Sequence, residues 1–166
     1  MAIVEYLPWA IMPHIDGHAD FNVVKWDGVT HVILQDWKLH YIGDCGEFKL
    51  LVKPGFAMDG GSVPELFWNI ISPWGANTIA FITHDAFYAS ELVDRKIADW
   101  ILLELMQCAG TSWAIRNAAW RSVRDFGDSV WEKHTSESIS KTREFIRLEI
   151  IKTLSIPKGP TSPLET

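Results

Sequence analysis

The sequence predicts an α+β fold in which a small antiparallel β-meander precedes a helical subdomain with an antiparallel helix pair. Between about residues 21 and 52, apolar and polar residues alternate with a period of two, as they do in half-buried strands. From about residue 76, apolar residues recur at helical spacing instead, and only four residues separate two of these runs. With 166 residues and 48% hydrophobic content, the chain can bury one ordinary core.

We divide the chain into three parts on this basis. Residues 1–20 are predicted to form an irregular N-terminal arm, residues 21–134 a single α+β domain, and residues 135–166 a C-terminal helix with a mobile proline-rich tail. The arm ends in HIDGHAD, whose alternating His and Asp residues would suit a metal loop only if the backbone turned tightly. A solvated loop is the simpler interpretation.

Four strand-like runs make up the predicted meander. FNVVKW and VTHVILQDW flank Asp27-Gly28, a dipeptide that supplies the positive φ angles of a tight hairpin turn. KLHYIG and EFKLLV follow, and each ends at a turn sequence that contains glycine. His31 and His40 fall within these runs, and we interpret both as ordinary strand residues because no neighbouring side chains complete a ligand set.

A glycine-containing turn, GFAMDGGSVPEL, follows the last strand. Gly60 and Gly61 permit backbone conformations closed to other residues, so this turn can expose amide groups. Ser62 and Glu65 have the spacing of a capping box, which favours helix capping over a role for Ser62 as a nucleophile. Asp59 either binds backbone within the turn or projects a carboxylate into the cleft between sheet and helices.

Two apolar helices are predicted after the turn, at about residues 76–90 and 94–109. They must pack antiparallel because the connection between them is short. His84 lies eight residues before Leu92 and Asp99 lies seven after it. At about 1.5 Å rise per residue, the two side chains are at the same level and can face each other.

A second polar layer is predicted one turn nearer the connection, where Tyr88 and Arg95 fall. Tyr88 shares a helix face with His84, whereas Asp85 is rotated by about 100° and serves a neighbouring position. Two interpretations of Asp99 stay open. It belongs to a polar site with His84, or it is only an i to i+4 partner of Arg95, worth about 0.3–0.5 kcal/mol.

The C-terminal third is predicted to be helical before it ends in the tail. Thr111 can cap a helix over residues 112–127, and Gly127 can end it. Residues 136–155 are interpreted as an amphipathic helix with apolar positions at Ile139, Phe145, Leu148 and Ile151. Such a helix suits docking on a neighbouring subunit or packing against its own domain.

Composition limits the classes of partner. The formal charge of -6, without a long basic run, excludes nucleic acid as the primary ligand, since phosphate binding needs a clustered positive surface. Nine Trp residues are a large aromatic load and predict that some rings cover a protein interface. Cys45 and Cys108 are too few for a disulfide framework, so both thiols are expected to be free and reduced.

Localisation is predicted from what the N-terminus and the apolar runs lack. Pro8 and Pro13 interrupt the first residues, which do not have the pattern of a signal peptide. No window reaches about 18 uninterrupted apolar residues, so no membrane span is predicted. We expect synthesis for the cytoplasm or for a particle assembled there.

A family resemblance rests on three ordered motifs. GFAMDGGSVP, HDAFY and DRKIAD are similar to the G-F-x-x-D-x-x-S-x-P, H-D-x-x-Y and R-x-x-A-D motifs of a phage-associated family, domain of unknown function 1353. The resemblance covers roughly residues 48–127, and Gly61 stands where the family commonly has Ala. It implies a viral origin, with assembly into a virion after synthesis in the host cytoplasm, but no settled activity. The motif residues here are Gly55, Phe56, Asp59, Ser62, Pro64, His84, Asp85, Tyr88, Arg95, Ala98 and Asp99.

A second resemblance concerns mechanism. H-D-x-x-Y on one helix, answered by an Asp on the antiparallel helix, is similar to the arrangement of secreted phospholipases A2, although their disulfides and calcium loop are missing. It implies that His84 activates water, that Tyr88 and Asp99 orient the histidine, and that Asp85 binds a divalent metal ion. Asp59 would take the place of the calcium loop, and the ion would be Ca²⁺ or Zn²⁺.

These observations lead to two main hypotheses of function. In the first, the protein is a metal-assisted hydrolase, or a hydrolase-like domain, associated with a phage tail, with His84, Asp85, Tyr88 and Asp99 as catalytic residues and Asp59 and Asp85 as metal ligands. In the second, the same residues form a buried polar network in a structural component of the tail or baseplate. Its partners would be other phage structural proteins or a second copy, bound through the Trp-rich surface and residues 135–166. A third hypothesis is a small inhibitor of a host defence protein.

Overall fold

In the part of the chain that the structure describes, the protein forms two antiparallel sheets and four α-helices, which confirms the predicted α+β class. The computed structural model describes residues 3–5, 22–24, 30–33, 36–58 and 75–158. Strands β1 to β7 are Ile3–Glu5, Asn22–Val24, Thr30–Val32, Trp37–Gly43, Gly46–Val52, Ala57–Met58 and Ile146–Lys152. Helices α1 to α4 are Thr78–Ser90, Arg95–Cys108, Trp113–Trp131 and Ser136–Arg143.

The larger sheet has the strand order β1-β4-β5-β7, and every neighbouring pair is antiparallel. Strands β4 and β5 form a hairpin in which Gly43 lies opposite Gly46, so that only Asp44 and Cys45 make the turn. Gly46 adopts a φ of 133°, and a Cβ there would lie 2.7 Å from the carbonyl oxygen of Thr153. Glycine is therefore required where this hairpin turns.

The smaller sheet has the order β2-β3-β6. Val24 pairs with Thr30, as expected for a hairpin around Asp27-Gly28, although those two residues lie outside the described part of the chain. Ile33 continues this sheet, because its N–H donates to the Phe56 carbonyl over 2.9 Å. The four predicted strands are thus found at their places but are shared between two sheets, since the chain changes its pairing partner between β3 and β4.

The N-terminal arm contributes one element to this architecture. Residues Ile3–Glu5 form β1 and pair with β4, where the sequence predicted an irregular segment. The motif HIDGHAD lies outside the described residues, so its interpretation as a solvated loop stays a prediction.

Helices α1 and α2 form the predicted antiparallel pair. Glu91 ends α1 in the left-handed conformation with a φ of 48°, and its N–H donates to the Phe87 carbonyl over 2.9 Å. Asp94 begins α2, because its side chain accepts a hydrogen bond from the Lys96 N–H over 2.9 Å. Twelve of the 13 residues of α1 are buried, so this helix lies between the sheet and the other helices.

Two predictions about helix α3 are wrong. It does not end at Gly127 but continues to Trp131, because glycine within a helix costs only about 1 kcal/mol and cannot by itself end one. Thr111 is not its cap either. Ser112 occupies the cap position without a side-chain hydrogen bond, and the Thr111 hydroxyl donates instead to Asn77 Oδ1.

The amphipathic helix predicted over residues 136–155 is only partly right. Helix α4 ends at Arg143, and β7 follows as a strand that pairs with β5. Thr135 and Ser138 form a reciprocal capping box that fixes the start of α4. The Arg143 guanidinium then donates to the carbonyls of Ser90 and Glu91, which ties α4 to the end of α1.

One hydrophobic core joins the larger sheet to the helices. Alternate residues of β4 and β5 face it, and buried residues of α1, α2 and α3 belong to the same core. Among the described residues, no helix is long and apolar enough to cross a membrane. The largest side chains excluded from solvent are Tyr41, Phe48, Phe81, Phe87, Leu39, Leu50, Ile82, Ile101, Leu102, Met106 and His84.

Candidate functional site

The face of α1 that carries His84 and Tyr88 meets Asp99 of α2, as the spacing predicts. His84 Nε2 lies 2.9 Å from Asp99 Oδ1, and the Tyr88 hydroxyl donates to the same oxygen over 2.7 Å. The rings of His84 and Tyr88 contact each other at a centroid distance of 4.1 Å and a tilt of 33°, as residues four apart on one helix can. Their exposed fractions are 1% and 3%, and that of Asp99 is 0%. The three side chains therefore form one buried polar cluster.

A fourth member of the cluster comes from α3. Arg124 Nη1 donates to Asp99 Oδ2 over 2.9 Å, so both carboxylate oxygens have partners. Sequence reasoning missed Arg124 because α3 carries three arginines, and only its packing angle decides which one reaches Asp99. The signal that points to it is chemical: a carboxylate among apolar helices needs a cation, since an unpaired buried charge is strongly destabilising. Arg95 is not that cation.

Arg95 binds α3 instead of its i+4 neighbour on α2. Its Nη2 lies 2.7 Å from Asp128 Oδ1, and its Nη1 contacts the Val123 carbonyl at 3.4 Å. The interpretation of Asp99 as the simple helical partner of Arg95 is therefore wrong. The predicted second layer does exist, because Tyr88 and Arg95 both reach the surface of α3 at Gly127.

Gly127 is the residue that lets this layer close. A Cβ at this position would lie 2.6 Å from the Tyr88 hydroxyl and 2.8 Å from Arg95 Nη1, which is closer than real Cβ contacts. The ring of Trp131, one turn further along α3, packs edge-on against Tyr88 at a centroid distance of 5.2 Å. The glycine that the sequence suggested as a helix end is in fact a packing position.

Asp99 is ionised in this environment. Burial raises the pKa of the carboxyl, but hydrogen bonds from His84, Tyr88 and Arg124 outweigh burial and hold the pKa below its ordinary value of 3.8. Tyr88 shows the opposite effect. Burial and the negative charge of Asp99 raise the pKa of its hydroxyl far above 10.0, so it remains a hydrogen-bond donor.

The ionised carboxylate determines which nitrogen of the His84 imidazole donates the hydrogen bond. Because a carboxylate offers no proton, Nε2 of His84 must be the donor to Asp99, and neutral His84 then has an unprotonated Nδ1. Nδ1 is buried, and within the described residues it has no hydrogen-bond partner. A buried polar atom without a partner is uncommon and costs about 1–3 kcal/mol. The cluster thus presents one unused acceptor on an otherwise satisfied network.

Of the other residues of the predicted site, Asp85 is described by the structure and Asp59 is not. Asp85 is buried, but helical geometry places it about 100° around α1 from His84, so it serves another side of the helix. Asp59 and Ser62 lie outside the described part of the chain, and so does the proposed meeting of Asp59 with Asp85. Within the described ranges, no three His, Cys, Asp or Glu side chains converge as metal ligands would. A metal site at Asp85 would therefore need ligands from outside the described residues, where Asp59 lies.

A second buried polar cluster, which sequence reasoning missed, joins α2 to the turn between β4 and β5. Glu104 accepts hydrogen bonds from the Tyr41 hydroxyl and from the Asp44 N–H, the latter over 2.9 Å. Burial and the charge of Glu104 raise the pKa of Tyr41 above 10.0 and that of the Cys45 thiol to about 12. A thiol with so high a pKa is a poor nucleophile. Glu104 within the apolar run ILLELMQ was the available signal.

The remaining histidines among the described side chains lie apart from the cluster. His40 in β4 lies 3.1 Å from Glu47 on the outer face of the sheet, in agreement with its interpretation as an ordinary strand residue. His134 lies 3.0 Å from Glu91 and braces the connection between α1 and α2. Cys45 is buried and Cys108 is exposed, and among the described residues neither forms a disulfide.

Comparison with known proteins gives one match. The family model described as "Protein of unknown function (DUF1353)" matches residues 33–123, more than half of the chain. No curated protein and no solved structure matches the chain. The matched segment contains His84, Asp85, Tyr88 and Asp99, and it ends one residue before Arg124.

Proposed function

The chain belongs to the DUF1353 family of proteins of unknown function, and from the chemistry of its buried cluster we propose that it is a hydrolase with His84 as general base. One observation carries this proposal. Nε2 of His84 is held by an ionised carboxylate while Nδ1, on the other side of the ring, has no partner within the described residues. A histidine oriented by a carboxylate on one nitrogen and free to accept a proton on the other is the arrangement of a general base.

The proposed reaction is hydrolysis of an ester or amide. A water bound at Nδ1 gives its proton to the imidazole as its oxygen attacks the carbonyl carbon. The tetrahedral intermediate then expels the alcohol or amine, which takes that proton back from the imidazolium. Asp99 stabilises the imidazolium and fixes the tautomer, while Tyr88 and Arg124 hold Asp99 in place.

A metal ion would add to this chemistry without replacing the base. Carboxylates such as Asp59 and Asp85 are ligands that suit Ca²⁺, and Zn²⁺ also accepts them. When bound, the ion would polarise the carbonyl oxygen of the substrate. The role of His84 depends on its own contacts and not on that ion.

The biological setting in the proposal follows the resemblance to phage-associated proteins. The protein would cut a bond in the host envelope as part of a tail, after synthesis in the host cytoplasm. Its partners would be other tail proteins or a second copy. Trp113, which is 47% exposed on α3, is available for these contacts.

The alternative is a tail or baseplate component without catalysis. Burial favours it, because catalytic side chains need contact with a substrate, and these side chains have exposed fractions of 3% or less. In this case the cluster locks α1, α2 and α3 together, as fully connected buried polar networks do. The unused Nδ1 of His84 would then be an unsatisfied buried acceptor whose cost the rest of the fold offsets.

Substitution of His84 separates the two functions. Hydrolysis of chromogenic esters and peptide amides is measured for the wild type, His84→Ala and the control His134→Ala, with circular dichroism of each as the test of folding. For a general base we expect folded His84→Ala to lose about 10²- to 10⁴-fold in kcat/KM, with His134→Ala unchanged. Metal analysis of the purified protein and assays after chelation test the ion separately.

The hydrolase proposal fails if the wild type cleaves none of these bonds, or if folded His84→Ala keeps full activity. An inactive wild type combined with an unfolded His84→Ala would support the structural network instead.

A further inference from the structure

Strand β7 forms one edge of the larger sheet and carries apolar side chains into solvent. Ile150 and Ile151 are 52% and 44% exposed. Beside Ile150 lies an open groove of about 310 Å³, lined also by Leu92, Ile97 and Leu154. An exposed strand edge with apolar residues is a template for pairing with another strand. We propose that β7 pairs antiparallel with β7 of a second copy of this chain, across a two-fold axis at Leu148.

The backbone of β7 decides which residues can take part. The Lys53 N–H donates to the Phe145 carbonyl over 2.8 Å, so the backbone groups of these two residues face each other between β5 and the start of β7. Hydrogen-bonded and non-bonded pairs alternate in an antiparallel ladder. Arg147 and Glu149 therefore direct their backbone groups towards β5, in register with Leu51 and Lys49.

The residues between them direct their backbone groups away from β5. These are Ile146, Leu148 and Ile150. They lie opposite Val52, Leu50 and Phe48 of β5, before the register shifts at Glu47. Among the described residues, no backbone hydrogen bond reaches this outer edge. Two copies can pair only if the outward backbone groups of one β7 meet the outward backbone groups of the other. The two-fold axis must therefore pass through a residue of β7 and not between two residues.

Charge selects one of the registers that remain. With the axis at Leu148, each Arg147 lies opposite the partner copy's Glu149, and each Ile146 lies opposite the partner copy's Ile150. The two neighbouring registers place Arg147 against Arg147 or Glu149 against Glu149. Like charges directly opposite each other destabilise a pair of strands, whereas opposite charges stabilise it. The sequence IRLEIIK is therefore self-complementary around Leu148.

The outer face continues the same charge pattern into the sheet. Lys49 lies beside Glu149 in its own chain, so the dimer would have the row Lys49, Glu149 and the partner copy's Arg147. Arg147 and Glu149 are both exposed. Substitutions at these two positions therefore change the contact between copies and leave the core intact.

Charge reversal tests the register. The oligomeric state of the full chain is measured by sedimentation over a concentration series up to about 100 μM. The wild type is expected to dimerise. Arg147→Glu or Glu149→Arg alone places like charges at both symmetric contacts and should weaken dimerisation at least about tenfold. The double substitution restores opposite charges between the copies and should return dimerisation to near the wild-type value. Position 149 lies beside Lys49 in this variant as it does in Glu149→Arg, so the single variant controls for that contact.

Cross-linking gives an independent measurement of the axis. In a Cys108→Ser background, Leu148→Cys places two thiols on residues whose Cα atoms are about 5.5 Å apart, within the range of a disulfide. Ile151→Cys, which would not lie opposite itself, is the matched control. Rapid cross-linking of the first variant alone supports the proposal.

Three results would overturn it. These are a monomeric wild type at the highest concentration, a dimer that is insensitive to both single charge reversals, and equal cross-linking of the two cysteine variants. The proposal does not depend on hydrolysis, so an inactive protein would leave these measurements unchanged.

Discussion

At Asp99, one carboxylate receives hydrogen bonds from three side chains that come from α1 and α3. The meeting of His84 with Asp99 could be predicted because the rise of an α-helix is fixed and the connection between the helices is short. Arg124 could not, since neither the spacing nor the periodicity of α3 defines its crossing angle. Side-chain partners within a hairpin of helices are therefore predictable at this site, and partners from a third helix are not.

Removal of the charge at Asp99 should destabilise the fold. In Asp99→Asn, the amide group cannot accept from all three donors, and Arg124 loses its counter-ion. We expect the free energy of unfolding to fall by about 2–4 kcal/mol in urea titrations near neutral pH. Asp128→Asn is the matched control. Asp128 also pairs with an arginine, but its side chain is 68% exposed, so the loss should be at most about 1 kcal/mol.

The contribution of Asp99 should also depend on pH in a defined direction. The pKa of Asp99 in the folded state lies below the ordinary value of 3.8, so its stabilisation is fully present above that value and is lost as the pH falls through the folded pKa. The difference in unfolding free energy between the wild type and Asp99→Asn should shrink below about pH 4. A difference that stayed constant on acidification would show that Asp99 is not ionised in the fold.

The C-terminal segment shows where prediction of whole elements fails. Phe145, Leu148 and Ile151 recur every three residues, as on a helix, while Ile146, Leu148 and Ile150 alternate, as on a strand. Local sequence fits both periods. The decision comes from β5, whose buried residues need a neighbouring strand on that side of the sheet. Strand pairing between distant segments is information that no local pattern contains.

Two alanine substitutions in β7 distinguish strand from helix. Ile146 is 2% exposed on the core face, so Ile146→Ala should lower the free energy of unfolding by about 2–4 kcal/mol. Ile151 was predicted on the buried face of a helix but is exposed, so Ile151→Ala should cost less than about 1 kcal/mol. Thermal or denaturant unfolding of both variants gives the comparison. Equal losses would contradict the strand.

Across the whole molecule, α2 is held on two sides by tyrosine–carboxylate pairs. Tyr88 of α1 donates to Asp99, and Tyr41 of the larger sheet donates to Glu104. Helix spacing predicted that Asp99 faces His84, but it placed Tyr88 one turn away, in a layer with Arg95. The second pair was not predicted, because the orientation of a helix on a sheet depends on the packing of the entire core. The position of α2 between its two neighbours thus depends on polar contacts as well as on apolar burial.

Alkaline titration should report both pairs at once. The pKa values of Tyr41 and Tyr88 are raised above 10.0 in the fold, so the stability they contribute is complete below pH 10 and declines as the pH rises beyond it. We expect both to ionise only when the chain unfolds, so that tyrosinate absorbance and far-ultraviolet circular dichroism change together. In denaturant all three tyrosines of the chain should titrate near pH 10. Ionisation of all three while circular dichroism is unchanged would contradict the buried pairs.

The ionic partner of Asp99 follows directly after the segment that family similarity identifies. A fragment trimmed to residues 33–123 would keep the carboxylate and discard the guanidinium that neutralises it, and it would also strip β5 of its outer neighbour. The segment that family similarity identifies is therefore shorter than the segment that these contacts require for folding. Recombinant truncations of this chain should therefore be planned from its three-dimensional contacts.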